Sequence, residues 1–325
     1  MRTFFRSVVH ALESGQPVQL VTLLSSTGST PRGPGALMGV FPDGSTRGTV
    51  GGGNGEYQAA LLARALLEKG QNALRDFDFT PGDELNMACG GQVTLHFQYL
   101  PAGDALVIGL LRQIITAAGE DRNLWLVRRF DGPEVREMIL AAGTETGLPP
   151  DLLRDRATLR DGWFSLPVVR AGWVYVFGGG HVAQALTPVL AAAGFRTAVW
   201  DDREEFVSPE RFPQAEQLFC GPFGTVAERL TLTPEDYVVI MTRGHQADHT
   251  VLSQTLRSGV KYLGCIGSRR KLALCRDRLL EEGFTAEEYA RLHAPIGLRI
   301  GAETPAEIAV SVAAELIAVR AGVLP

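Results

Sequence analysis

Val174-Tyr175-Val176-Phe177-Gly178-Gly179-Gly180-His181-Val182-Ala183 is the stretch from which the architecture of this chain is read. Apolar residues of strand character run into a glycine triplet, and an alanine-rich helical pattern follows. This is the G-x-G-x-x-A form of the dinucleotide fingerprint in its strand, turn and helix context. Gly178 permits the tight turn, Gly180 lets a pyrophosphate approach the backbone, and Ala183 lets helix and strand pack closely. The helix opening at His181 offers unpaired N–H groups and a positive dipole end to a phosphate. About 20 residues on, the next strand ends in Asp201-Asp202, where a Rossmann-type fold places an acid to hold a ribose hydroxyl.

Downstream, short apolar strands near 197–200, 237–241 and 262–266 alternate with helices, which predicts a parallel sheet covered on both faces. Ligands of such sheets collect outside the carboxyl ends of the strands. Thr242-Arg243-Gly244-His245 follows one strand there, and Gly267-Ser268-Arg269-Arg270-Lys271 follows another. Ser268 and Arg269 are candidate phosphate contacts, although each cation in that run reads equally well as part of a solvated surface. His245 and His249 share a helix face without an identifiable third ligand, so no metal site is predicted. Thr304-Pro305-Ala306-Glu307 joins a threonine cap, a first-turn proline and a glutamate, and opens a last helix that reaches about Arg320.

Upstream, Phe5, Val8, Val9 and Leu12 recur at helical spacing, and Val18 to Leu24 reads as a strand. Leu37 to Phe41 and Thr46 to Val50 flank Pro42-Asp43-Gly44-Ser45 as a hairpin. The second of these strands runs into Gly51-Gly52-Gly53-Asn54-Gly55-Glu56, ahead of a helix expected from Tyr57 to Leu67. Glu56 reads as a carboxylate stabilised by that helix dipole. Gln92 to Tyr99 alternates strictly, with Gln92, Thr94, His96 and Gln98 on a face that lines a site or meets solvent; His96 reads as solvent-facing or structural. Residues 101–170 hold one helix near Leu106 to Ala118 and one strand near Leu124 to Phe130. The expected organisation is α/β: an N-terminal α+β domain over 1–100, a connecting module over 101–170, and a Rossmann-like parallel-sheet domain over 171–325.

A formal charge of −5 excludes a general nucleic-acid binder, which needs a basic excess on one face. Arg2, Arg6, His10 and Glu13 interrupt the apolar residues of the N-terminus, and no run approaches the roughly 18 apolar residues of a membrane span, so a cytoplasmic location is expected. The four cysteines, Cys89, Cys220, Cys265 and Cys275, form no C-x-x-C pair, which removes the usual structural-zinc and dithiol signatures. Cys220, Cys265 and Cys275 lie in or near apolar elements and read as inert packing residues. Cys89 sits in the loop Asn86-Met87-Ala88-Cys89-Gly90-Gly91 and is the candidate reactive thiol.

Three N-terminal loops, Ser29 to Gly35, Gly51 to Glu56 and Met87 to Gly91, stand with the Val176 to His181 turn and with Pro295-Ile296-Gly297-Leu298-Arg299-Ile300-Gly301-Ala302-Glu303-Thr304-Pro305. These five motifs, in this order, resemble the xanthine dehydrogenase accessory protein family, XdhC/CoxI. The likeness covers both ends of the chain and leaves the middle unaligned. It implies a molybdenum-cofactor chaperone that binds molybdopterin or its cytosine dinucleotide and protects it. Such a protein takes part in sulfuration with a cysteine desulfurase and passes the cofactor to a molybdenum hydroxylase such as xanthine dehydrogenase. It also implies a homodimer, and a maturation factor in place of a turnover enzyme. On this reading Gly51, Gly52, Gly53, Gly90 and Gly91 help to hold the cofactor, and Cys89 contacts molybdenum or carries sulfur. Arg243 departs from the family's Thr-His-x-His-x-x-Asp segment, whose first histidine it replaces, while His245 and Asp248 keep their places. The competing reading is an NAD(P)-dependent oxidoreductase, which the fingerprint and Asp201 support. It lacks a lysine or tyrosine in an obvious proton-transfer motif.

Overall fold

The computed structural model describes residues 1–78, 91–117, 122–145 and 147–324. The chain divides into two units, Met1–Arg170 and Ala171–Pro325. The first runs α1 (Arg2–Glu13), β1 (Val18–Thr27), β2 (Leu37–Val40), β3 (Thr46–Gly48), α2 (Gly53–Lys69), β4 (Ala73–Asp78), β5 (Gln92–Leu100), α3 (Ala105–Ala117), β6 (Leu124–Asp131), β7 (Glu134–Ala141), β8 (Thr158–Arg160) and β9 (Trp163–Val169).

An antiparallel sheet in the order β3-β2-β1-β5-β4 forms its centre. The period-2 alternation of β1 sends Val21 and Leu23 toward α2, where they meet Ala59, Ala63 and Leu66. The opposite face, through Val18 and Leu20, meets Phe5, Val8 and Leu12 of α1, Leu111 and Ile114 of α3, and Leu126, Phe164 and Leu166 of a second sheet. That second sheet, β7-β6-β9-β8, is antiparallel and lies within residues 101–170. This segment was expected to carry one helix and one strand; it carries α3 and four strands, packed into the same core as residues 1–100. Strand β7 escaped the pattern because Glu134, Arg136 and Glu137 break its apolar alternation.

The second unit runs β10 (Val174–Phe177), α4 (His181–Ala192), β11 (Thr197–Asp201), β12 (Gln217–Cys220), α5 (Val226–Arg229), β13 (Tyr237–Ile240), α6 (His245–Thr255), β14 (Tyr262–Cys265), α7 (Arg269–Glu281), α8 (Ala286–Ala290) and α9 (Pro305–Arg320). All five strands are parallel, in the order β12-β11-β10-β13-β14. Val174 and Val176 face α4 and α9, through Ala183, Leu186, Val312 and Leu316. Tyr175 and Phe177 face α6 and α7, through Val251, Leu252, Leu272 and Leu279. The sheet is therefore covered on both sides, as its apolar strands require, and the chain is a mixed α/β protein with a Rossmann-type unit at its C-terminal end. Strand order reverses between β10 and β13, so the crevice at their carboxyl ends is the topological switch point. Thr304 and Glu307 close a capping box at the start of α9, with Pro305 in its first turn. No helix among the described residues is long and apolar enough to cross a membrane.

Candidate functional site

Among the described residues, the first two N-terminal loops meet each other and Gly91, the last residue of the third. A Cβ on Gly91 would lie 2.5 Å from the Ser29 carbonyl oxygen and 2.7 Å from that of Thr27, and one on Gly51 would lie 3.7 Å from Pro31. The Ser29–Pro31 segment thus packs against Gly51 and against Gly91. Cys89 and Gly90 lie outside the described residues.

At the Gly51-Gly52-Gly53 turn the backbone donors already have an owner. One oxygen of Glu56, Oε2, accepts from the amides of Val50 (3.0 Å), Gly51 (3.2 Å) and Gly52 (3.0 Å), and from the Thr49 hydroxyl. Burial alone would raise the Glu56 carboxyl; the Thr49 hydroxyl and the three amides outweigh it and hold the group below the usual glutamate range. Helix α2 starts at Gly53, four residues before the expected Tyr57, with Glu56 in its first turn. The dipole assignment of Glu56 therefore understates its part: it fills the concavity formed by successive N–H groups, the feature that elsewhere binds anions.

Strand β5 presents its polar face as two environments. His96 and Gln98 are buried, and His96 Nε2 donates to the Pro133 carbonyl at 2.8 Å. Arg128 of β6, fully buried, reaches Thr22 Oγ1 (2.9 Å) and Gln98 Oε1 (3.2 Å) and lies beside the rings of Phe130 and Phe164. Burial first, and then the Arg128 charge, push His96 down to about 4, which keeps it neutral. It is a structural histidine and does not meet solvent. Toward the strand start, Gln92 and Thr94 line a cavity of about 460 Å³ with Ser25, Ser26, Thr27, Asp76 and Asp78.

In the second unit the glycine turn has the geometry its residues demand. Gly178 adopts φ +108°, and a Cβ there would stand 2.4 Å from the Met241 carbonyl oxygen. A Cβ on Gly179 would stand 2.0 Å from the carbonyl oxygen of Phe206, whose short 3-10 turn folds over it. Around Gly180 there is open space, and no side chain caps the helix that His181 begins. Ala183 is fully buried.

Asp201 is committed inside the protein. It is 1% exposed, and its carboxylate accepts from the Gly179 amide (2.8 Å) and from the Arg203 amide (3.1 Å), Nε (2.9 Å) and NH2 (3.2 Å). Four donors use the acceptor sites a carboxylate has. Burial raises its carboxyl, and Arg203 with the Gly179 amide more than offsets this and lowers it. A ribose hydroxyl would have to displace Arg203, whose guanidinium stacks 3.5 Å over Phe206. Arg211 donates to the Gly179 carbonyl at 3.2 Å, and Arg243 pairs with Asp202 at 3.1 Å. Three arginines thus stand round the turn. Sequence reading missed Arg203 and Arg211; the signal for the first was its place two residues beyond the strand-end acid.

The loop after β13 is braced from below. Thr242 donates through its amide (3.1 Å) and hydroxyl (2.5 Å) to Asp248, which Lys271 pairs at 2.5 Å. Lys271 is therefore half-buried and tied to Asp248, whereas Arg269 is exposed at the start of α7 and Ser268 caps that helix by accepting from the Lys271 amide. His249 is buried and faces Glu282 at 3.0 Å, and His245 is exposed. Among the described residues no group of three or more His, Cys, Asp or Glu side chains is placed to hold a metal.

The described cysteines divide. Cys265 and Cys275 are buried, and burial raises both thiols, Cys275 to about 11. Cys220 is exposed at the carboxyl end of β12, because this edge strand of mixed composition is not covered. The Pro295 to Pro305 segment is tied to α9 by Glu315, which accepts from the Gly297 amide (2.7 Å) and the Tyr262 hydroxyl (2.5 Å). The motif of that loop carries no sign of this anchor, which lies 18 residues beyond Gly297.

Two family models match the chain: one described as the XdhC and CoxI family over residues 11–78, the other as the XdhC Rossmann domain over residues 174–316. The Escherichia coli protein YqeB is 30% identical over 309 residues, which are 95% of this chain and 44% of that one. The chain thus spans less than half the length of YqeB. The molybdenum cofactor insertion chaperone PaoD of Escherichia coli is 28% identical across 98% of this chain and 88% of its own length. A Bacillus subtilis protein described as a probable xanthine dehydrogenase subunit is 25% identical across 98% of each chain. A crystal structure described as a xanthine dehydrogenase from Bacillus halodurans superposes with a TM-score of 0.79 at 22% identity, covering 98% of this chain and 96% of that one, which is a likeness of fold.

Proposed function

The chain belongs to the XdhC and CoxI family, and from that premise we propose that it is a molybdenum-cofactor accessory protein serving a xanthine dehydrogenase-like hydroxylase. It binds molybdopterin or its cytosine dinucleotide, protects it, supports its sulfuration with a cysteine desulfurase, and delivers it. It acts in the cytoplasm as a homodimer and as a stoichiometric partner. The observation that carries this reading is the near full-length similarity to PaoD, whose name states cofactor insertion.

The second unit suits the anionic end of such a cofactor. Gly180 is open, the start of α4 has no side-chain cap, and Arg203, Arg211 and Arg243 supply cationic donors round the turn. The bound cofactor would bring a phosphate and a dithiolene-held molybdenum, which favours soft ligands. Gly178, Gly180, His181 and Ala183 form the turn, and Ser268 and Arg269 stand at the next helix start. Asp201 serves this site by positioning Gly179 and Arg203. Its saturation is also why the dehydrogenase reading is the weaker one, since its ribose contact is occupied.

In the first unit we propose Cys89, from the sequence run Cys89-Gly90-Gly91, as the thiol that contacts molybdenum or carries sulfur, with Gly51, Gly52 and Gly53 as further cofactor contacts. The test is purification of the protein with molybdopterin, followed by activation of a cofactor-free hydroxylase. Cys89→Ala is expected to retain the cofactor and to lose most activation. Unchanged cofactor retention together with unchanged activation removes Cys89 from the mechanism; failure of the unsubstituted protein to retain molybdopterin removes the accessory role.

A further inference from the structure

In the parallel sheet β10 lies between β11 and β13, and the glycine turn leaves the end of β10. Asp202 directly follows β11, and Arg243 stands three residues past β13. The two loops flank the turn closely: the Gly179 amide reaches Asp201 on one side, and a Cβ on Gly178 would touch Thr242 Cα at 2.9 Å on the other. The ion pair between Arg243 NH2 and Asp202 Oδ2, 3.1 Å long, therefore joins the two loops that flank the glycine turn at the switch point.

We propose that this pair is a latch that a diphosphate-bearing ligand opens, and that Arg243 is the residue by which the crevice selects such a ligand. Four features make the latch easy to open and specific in what opens it. Arg243 is 57% exposed, and a solvated ion pair contributes little on its own. Asp202 keeps a second cation, Arg203 Nε at 3.6 Å, so release of Arg243 leaves no orphaned acid. The Arg243 backbone stays in place, because Thr242 is held by Asp248 and Asp248 by Lys271, so the guanidinium swings by rotamer changes alone. A phosphate offers that guanidinium two charge-assisted hydrogen bonds in matching geometry, which a neutral nucleoside cannot. The inference goes beyond the accessory-protein reading and holds whether or not molybdopterin is the ligand in the crevice.

The test is calorimetric titration of the full chain with ADP, CDP and adenosine at low salt. The unsubstituted protein is expected to bind both diphosphates more tightly than adenosine. Arg243→Gln should weaken both by about tenfold, the equivalent of one charge-assisted contact, and leave adenosine unchanged. Asp202→Asn should do the opposite and tighten both diphosphates, by freeing Arg243. In the Arg243→Gln background that gain should vanish, since the two residues act as one unit. The latch is overturned if Arg243→Gln binds diphosphates as the unsubstituted protein does. It is equally overturned if the Asp202→Asn gain persists undiminished without Arg243, which would mark a general field effect, or if no form prefers a diphosphate to adenosine. Far-UV spectra and thermal midpoints establish that each variant is folded.

Discussion

The two glycine turns of this chain look alike in sequence and differ in who holds their amides. Each follows a strand, each opens a helix, and each has an acid close by. At the first turn a single Glu56 oxygen takes the amides of Val50, Gly51 and Gly52. At the second, Asp201 takes only the Gly179 amide, and the opening of α4 has no side-chain cap. A glycine-rich loop is thus a phosphate cradle only to the extent that its own chain leaves donors over. By that measure the second turn is ready for an anion, and the first admits one only if Glu56 withdraws.

The glycines themselves give the largest expected contrast. At Gly178 a side chain meets both a positive φ and the Met241 carbonyl at 2.4 Å, and backbone does not yield. Gly178→Ala should cost on the order of 4 kcal/mol, as a strained backbone and an overpacked contact combine. Gly51→Ala, whose Cβ would meet Pro31 at 3.7 Å, should cost less than about 1 kcal/mol. Urea unfolding followed by tryptophan fluorescence measures both, and equal losses would break the comparison.

The acid at the first turn comes next. Glu56→Gln removes the charge that three amides and a hydroxyl point at, and should cost about 2 kcal/mol at neutral pH. The sign with pH follows from the lowered carboxyl. Its stabilisation is present above the unfolded value of 4.5 and fades as pH falls through the lower folded value. The gap between the substituted and unsubstituted proteins should therefore be full and constant above about pH 4.5 and close as pH falls below it through the lower folded value. A gap that stays constant across the acid range would mean that Glu56 matters as packing and not as a charge in a nest.

How far the sequence could be read follows the same division between local pattern and tertiary partner. The glycine turn at Gly178, four of the five parallel strands and the Thr304 capping box depend on neighbours within a few residues, and they were legible. The resemblance of five motifs carried the family, because order along the chain is itself sequence information. What stayed hidden was set by the geometry of the folded chain and not by spacing along it. Glu56 sits beside its glycines, yet nothing in their spacing says that one carboxylate oxygen gathers three amides. Arg203 and Arg211 come to the turn through the fold over Phe206. Glu315 anchors the Pro295 to Pro305 loop from 18 residues beyond Gly297. Strands β7 and β12 were missed because edge position tolerates charged and mixed residues, which erases the alternation on which strand reading rests.

The smallest expected change in stability is the one that bears most directly on the comparison. Gly180 has φ −76° and nothing within 4 Å of the point where a Cβ would stand, so alanine needs no backbone adjustment there. Its poorer fit as a helix cap and the entropy removed from the unfolded chain oppose one another, and Gly180→Ala should stay within about 1 kcal/mol of the parent. The branched side chain of Gly180→Val would fill the open space while leaving Asp201, Arg203 and Phe206 where they are. If that space is where an anion approaches the helix start, Gly180→Val should lose ADP binding by calorimetry with its thermal midpoint nearly unchanged. The same binding in Gly180→Val as in the parent would mean that the amides left over at the second turn are simply solvated, and the difference between the two turns would then concern stability alone.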